Sequence, residues 1–323
     1  MAGTYKEDSD FQAADESFEK GQFTEAMELL TKVAERYPDE LEVQQRIGLC
    51  AFEKAMQRME SDTSTSADWR SVIESLEAVA ASGDTKQIGS SLAVAYHNLG
   101  VCLNQQDAFE EAGEQFRRAL AINPEMTDAS ISLAINHAGQ GDHETAEQML
   151  REVIEHSPGL LQARHSLGLI LSSQGKDAEA VEQFKRAQPP ERDDDAVHYS
   201  RGVSHANLGE LEEAEAAFRQ ALELNPEFIP ALYNLGLILR DQGNLSGSER
   251  CFEEVTRLDP DSPGGYFCLA SLYEKRDPAL AISVWEKYLE EAAKLPSEAE
   301  MVAKVAGHVA ALKKKAEESQ EGT

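Results

Sequence analysis

The sequence predicts an all-α fold, a solenoid of helical hairpins, and three observations carry that prediction. Residues of matching kind recur every 34 positions, small, bulky and proline residues each form their own series at that step, and each unit reads as two amphipathic segments joined by a turn. A repeat array also explains how 323 residues with 41% hydrophobic content fold without one outsized core.

The series do different physical work. Gly100, Ala134, Gly168, Gly202, Gly236 and Ala270 stand at successive steps, as do Ala112, Ala146, Ala180, Ala214 and Ser248. Small residues at both places let two helices approach closely. Phe116, Leu150, Phe184, Phe218 and Phe252 supply the bulk beside them, and Pro124, Pro158, Pro226 and Pro260 stop the second helix of a unit; Arg192 interrupts the proline series. Within one unit, residues 96–103 read as the first helix and 109–120 as the second. The turn between them carries Gly141, Gly175, Gly209 and Gly243 in later units and Asp107 in this one.

This pattern of small residue, aromatic, alanine and proline, written as NLGVCLNQQDAFEEAGEQFRRALAINP and again as NLGLILRDQGNLSGSERCFEEVTRLDP, resembles the tetratricopeptide repeat (TPR) family. The likeness extends over nearly the whole chain. It implies a right-handed α-α superhelix of about eight helical hairpins, in which the first helices line the concave side. The repeats are expected at 7–40, 41–86, 87–126, 127–160, 161–194, 195–228, 229–262 and 263–295. The second departs most, with residues 60–67 read as an inserted loop because of their Ser, Thr and Asp content. Pro296 and a capping box at Ser297–Glu300 announce a final helix, whose Met301, Val305, Val309 and Leu312 cover the last repeat. That cap is expected over 297–316, making 7–316 one solenoid, with 1–6 and 317–323 disordered.

Composition narrows the function. With 59 acidic against 30 basic residues the net charge is −29, and phosphate binding needs the opposite sign, so nucleic acid is not expected as a partner. Cys50, Cys102, Cys251 and Cys268 are too scattered for a zinc or dithiol motif and read as packed thiols. No run of about 18 apolar residues and no signal-peptide pattern occurs, so a cytoplasmic protein without membrane insertion is expected. No glycine-rich phosphate loop is present, and His97 and His165 lie two repeats apart, so neither catalysis, a metal nor a cofactor is expected.

The candidate binding residues sit on the first helices. His97, Ile131, His165, Tyr199, Tyr233 and Phe267 form one column, and Val101, Ile135, Leu169, Val203 and Leu237 lie one helical turn on. Asn98, Ser132, Ser166, Ser200, Asn234 and Cys268 form a small, mostly polar column whose donors and acceptors suit a peptide backbone. The predicted groove comprises His97, Asn98, Val101, Ile131, Ser132, His165, Ser166, Tyr199, Ser200, Asn207, Tyr233, Asn234, Leu237, Arg240 and Phe267. At the inner sites of the in-register units the charged residues are Asp128, Arg240, Asp241, Glu274 and Lys275, whereas acids crowd the second helices.

Two readings of the aromatic column stay open at this stage: packing against the next repeat, or anchoring a ligand. The expected role is a non-catalytic scaffold or adaptor that holds an extended or helical peptide, apolar, aromatic or basic in character. Assembly into a homo-oligomeric scaffold is the alternative. The resemblance also raises the carboxylate clamp of co-chaperone members, built from Lys, Asn and Arg. Here Arg240 and Lys275 stand beside Asp241 and Glu274, which argues against it.

Overall fold

The computed structural model describes residues 5–61, 63–81, 88–187 and 195–321. They form two compact units, residues 1–159 and 160–323. The regular structure among them is helical throughout.

The first unit stacks four hairpins: α1 (Ser9–Glu19) with α2 (Phe23–Arg36), α3 (Leu41–Glu60) with α4 (Ser66–Ala80), α5 (Gly89–Asn104) with α6 (Phe109–Ile122), and α7 (Thr127–Gly139) with α8 (His143–His156). Each helix packs on its hairpin partner, and α2, α4 and α6 also pack on the first helix of the following hairpin. Their core is continuous from Trp69, Leu76 and Val79 through Phe116 to Leu133.

In the second unit α9 (Leu161–Ser173) pairs with α10 (Asp177–Arg186), α11 (Asp195–Asn207) with α12 (Leu211–Leu224), α13 (Ile229–Asp241) with α14 (Leu245–Leu258), and α15 (Pro263–Tyr273) with α16 (Pro278–Ala292). Helix α17 (Ala299–Glu321) packs on α16, burying Val305 and Val309 over Trp285 and Tyr288. The last hairpin thereby loses its open apolar side.

The recurrent residues have visible causes. A Cβ on Gly100 would lie 2.6 Å from the Phe116 ring, and one on Gly168 2.5 Å from the Phe184 ring, so the paired helices are as close as a glycine allows. Where Ala134 takes the glycine's place, Leu150 takes the ring's. The prolines act through the residue before them, which cannot stay helical beside the ring. Asn123, Ser157, Asn225 and Asp259 end their helices with φ between −134° and −128° and ψ between 75° and 89°. Turn glycines adopt positive φ, such as 83° at Gly141, and Asp107 does so at 58° without being a glycine.

Several boundaries differ from those expected. Tyr5–Glu7 form a 3-10 turn, tied down where the Tyr5 hydroxyl donates to Glu42 and Lys6 pairs with Glu42 at 3.0 Å. The extra residues of the second repeat do not all form a loop over 60–67. Helix α3 absorbs most of them by running on to Glu60, and α4 starts at Ser66 behind a capping box made by Thr65 and Asp68. A 3-10 turn, Pro296–Glu298, replaces the expected helix start at Ser297, and α17 is helical past residue 316 to Glu321. The expected repeat ends near 86 and 194, and residues 1–4 and 322–323 of the tails, lie outside the described residues.

Candidate protein-binding face

In the first unit, the predicted residues divide into a packed set and a half-exposed set. The His97 ring lies 5.8 Å from the Phe116 ring of its own hairpin. Its Nδ1 is 3.3 Å from Asn98 Oδ1 and its Nε2 is 3.0 Å from Ser132 Oγ. A carbonyl oxygen only accepts, so the Asn98 contact pairs with the tautomer that carries its proton on Nδ1, in which the Ser132 hydroxyl donates to Nε2. Burial lowers the His97 pKa, opposed by its bond to Asn98 and the charge of Asp128. Asn98 is buried and its Nδ2 faces Met56 Sδ at 3.9 Å. Ile131 has 0% exposure and is core, not groove lining: it stands where α5, α9, α11, α13 and α15 place a ring. Val101 is half-buried, and Ile135, one turn beyond Ile131, is 43% exposed.

In the second unit the same column is aromatic. His165 lies 5.8 Å from Phe184, Tyr199 5.9 Å from Phe218 and Tyr233 5.7 Å from Phe252. Phe228 adds an edge contact to Tyr199 at 5.2 Å, and Phe267 packs on Trp285 and Tyr288 at 5.0 and 5.5 Å. Each tyrosine therefore commits one side of its ring to the hairpin while staying only half-buried. One helical turn along, Leu169 is 46% exposed and Val203 and Leu237 are half-buried.

The small polar column does not stand ready for a peptide backbone in the way its chemistry promised. Asn234 Nδ2 donates to Tyr199 Oη at 3.1 Å and to the Pro230 carbonyl at 3.1 Å, and Cys268 Sγ donates to Tyr233 Oη at 3.5 Å. With His97 and Ser132 in the first unit, these bonds join one repeat's ring to the next repeat's small residue, a fixed step of 35 residues. Burial pushes the Tyr233 hydroxyl up to about 12, so it stays protonated and neutral. Ser166 is buried, and the Ser200 hydroxyl donates to the Ala196 carbonyl at 2.7 Å within its own helix.

The remaining predicted residues, Asn207 and Arg240, are exposed at the C-terminal ends of α11 and α13. Asn207 donates to Asp177 Oδ1 at 3.1 Å, and Arg240 is paired with Asp241 at 3.0 Å. An internally neutralised arginine is a poor clamp for a carboxylate. What the predicted set omitted is Ile135 and Leu169, the most exposed apolar side chains of the turn-on column, although the 34-residue step already placed them there. Among the described residues, no group of three His, Cys, Asp or Glu side chains is placed to hold a metal, and no helix is long and apolar enough to cross a membrane.

Tetratricopeptide repeat models match residues 8–40, 93–126, 137–202, 196–228 and 229–262, which together make up more than half of the chain. The chain belongs to the TPR family. No curated protein matches it in sequence. Solved TPR-type structures share the fold at low identity: PilF of Pseudomonas aeruginosa at 17% identity and a TM-score of 0.59, over 67% of this chain and 97% of that one. The Cut9–Hcn1 hetero-tetramer of APC/C matches at 18% and 0.55, over 93% and 56%. YrrB, described as a TPR protein with an unusual peptide-binding site, matches at 21% and 0.50, over 61% and 99%. Membership explains the architecture found above, an α-α solenoid of TPR hairpins, and makes protein–protein interaction its general business.

Proposed function

We propose that this TPR protein is a non-catalytic scaffold that holds an extended or helical segment of a partner protein on its first-helix faces, and that the segment offers apolar or aromatic side chains. The observation that carries this reading is the face of the second unit. Leu169 is 46% exposed there, in line with half-buried Val203 and Leu237 and beside the half-buried rings of Tyr199 and Tyr233. Aligned apolar side chains on a rigid surface supply binding energy that scattered exposed ones do not. Fixed rings also limit the entropy lost on binding, because they are already held by Phe218 and Phe252.

Leu169 is a better probe than the tyrosines, whose removal would also disturb hairpin packing. Replacing Leu169 with Asp exchanges a few kcal/mol of apolar burial for a desolvated charge and weakens the partner by about tenfold or more. The test is affinity capture from the native host with the wild-type chain, followed by titration of the recovered partner against Leu169→Asp. An unchanged affinity with intact helicity would sink this reading.

A further inference from the structure

We propose that the overlong helix α3 forms a second docking surface, on the first unit, for a basic amphipathic helix of a partner protein. This surface is separate from the Leu169 face of the second unit and stands or falls independently of it.

Helix α3 has 20 residues, whereas α7, α9, α11 and α13 have 13 each. The excess adds about 10 Å of helix at 1.5 Å per residue. On it, Met56 and Met59 prolong a stripe begun by Phe52, at spacings i, i+4 and i+7. Phe52 and Met56 are half-buried against the core of the first unit, and Asn98 of α5 reaches the Met56 sulfur. Met59 is 39% exposed. The stripe thus leads out of the core to an exposed Met59, with no covering element on its last turn among the described residues.

The end of α3 is fixed in place. Arg58 donates to the Thr63 carbonyl at 3.0 Å and pairs with Asp68, and Thr63 Oγ1 donates to the Arg58 carbonyl at 3.1 Å. An apolar stripe on an anchored helix is pre-organised for a partner, and methionine adapts to varied shapes. Contacts at i, i+4 and i+7 form a ridge that matches the groove of another helix better than an extended strand.

Charge selects the partner. Residues 1–159 carry 30 acidic against 12 basic side chains. The unit's seven arginines, 36, 46, 58, 70, 117, 118 and 151, are all ion-paired with its own carboxylates. Glu53 and Glu60 run beside the stripe, one residue after Phe52 and Met59. A partner helix with an apolar face flanked by Lys and Arg meets both the stripe and the surplus acids.

The probe is a fluorescent Leu/Lys helical peptide of about 18 residues, with leucines at i, i+4 and i+7, titrated against the full chain beside a Leu/Glu peptide of the same pattern. The Leu/Lys peptide is expected to bind and the Leu/Glu peptide to bind far more weakly; equal binding of the two overturns the charge argument. Met59→Asp discriminates docking from unspecific attraction. Docking predicts a loss of about fivefold or more, whereas attraction to an acidic surface predicts equal or tighter binding. Met59→Gln, which adds no charge to the helix end, is expected to weaken binding in the same direction; unchanged affinity there overturns the proposal even if Met59→Asp perturbs α3. Leu169→Asp separates the two faces: an affinity for this peptide that holds supports α3 as its seat, and one that falls as far as in Met59→Asp overturns the proposal; circular dichroism confirms that each variant keeps its helices.

Discussion

His97 shows how one residue can look functional and serve the frame. Its ring rests on Phe116, and its two nitrogens are engaged by Asn98 and Ser132. Burial favours the neutral imidazole, so its pKa in the folded chain lies below the ordinary 6.5. The unfolded chain then binds the proton more readily. The stabilisation is fully present above about pH 6.5 and declines as pH falls towards the lowered folded value. Exchanging His97 for Phe, the residue Phe267 provides at the same place in its own repeat, should leave a variant that loses less stability than wild type between pH 7.5 and 5.5. Thermal melts of both chains across that range check it, and a constant difference in Tm would refute the assignment. Comparing the two chains removes the titration of the many carboxylates they share.

At the scale of the element, the hairpin is set by a contact between a missing side chain and a ring. Gly168 faces Phe184 so closely that an added Cβ would stand 2.5 Å from the ring edge. Gly168→Ala is expected to cost about 1–3 kcal/mol through overpacking. Phe184→Leu in the same chain should recover part of that loss, because Ala134 and Leu150 occupy these places together in another repeat. A double-mutant cycle by urea denaturation measures the coupling, and strict additivity would show that the two positions do not compensate. Turn geometry supplies an opposite case. Asp107 holds φ at 58°, where its counterparts are glycines, so Asp107→Gly should raise stability by about 0.5–1 kcal/mol, measurable as a higher denaturation midpoint.

Across the whole molecule, the two candidate faces differ in what a reader of the sequence can find. The 34-residue step located the first-helix columns, because each column is a fixed register in a repeat that folds the same way every time. It also contained Ile135 and Leu169, the positions that prove most exposed. The stripe on α3 was hidden, because Ser, Thr and Asp after Glu60 resemble a loop while the residues before it carry no repeat signal. Which residues of a column point into solvent was equally hidden. Ile131 and Leu169 are both aliphatic residues on first helices, yet one is wholly buried and the other 46% exposed.

The sequence by itself determined the hairpins, their 34-residue period, the turns and stops between them, and the acidic character of the surface. Those properties depend on local backbone preference and on side-chain volume repeated at fixed spacing, and both can be read one repeat at a time. Only the tertiary structure decided that the small polar column is largely spent on joining neighbouring repeats, with Asn234 on Tyr199 and Cys268 on Tyr233. It also decided that α3 outgrows the other first helices and that α17 runs on to Glu321. Hydrogen bonds between repeats and the exposure of a given ring depend on the distance and rotation between helices, which the spacing of residues along the chain does not encode.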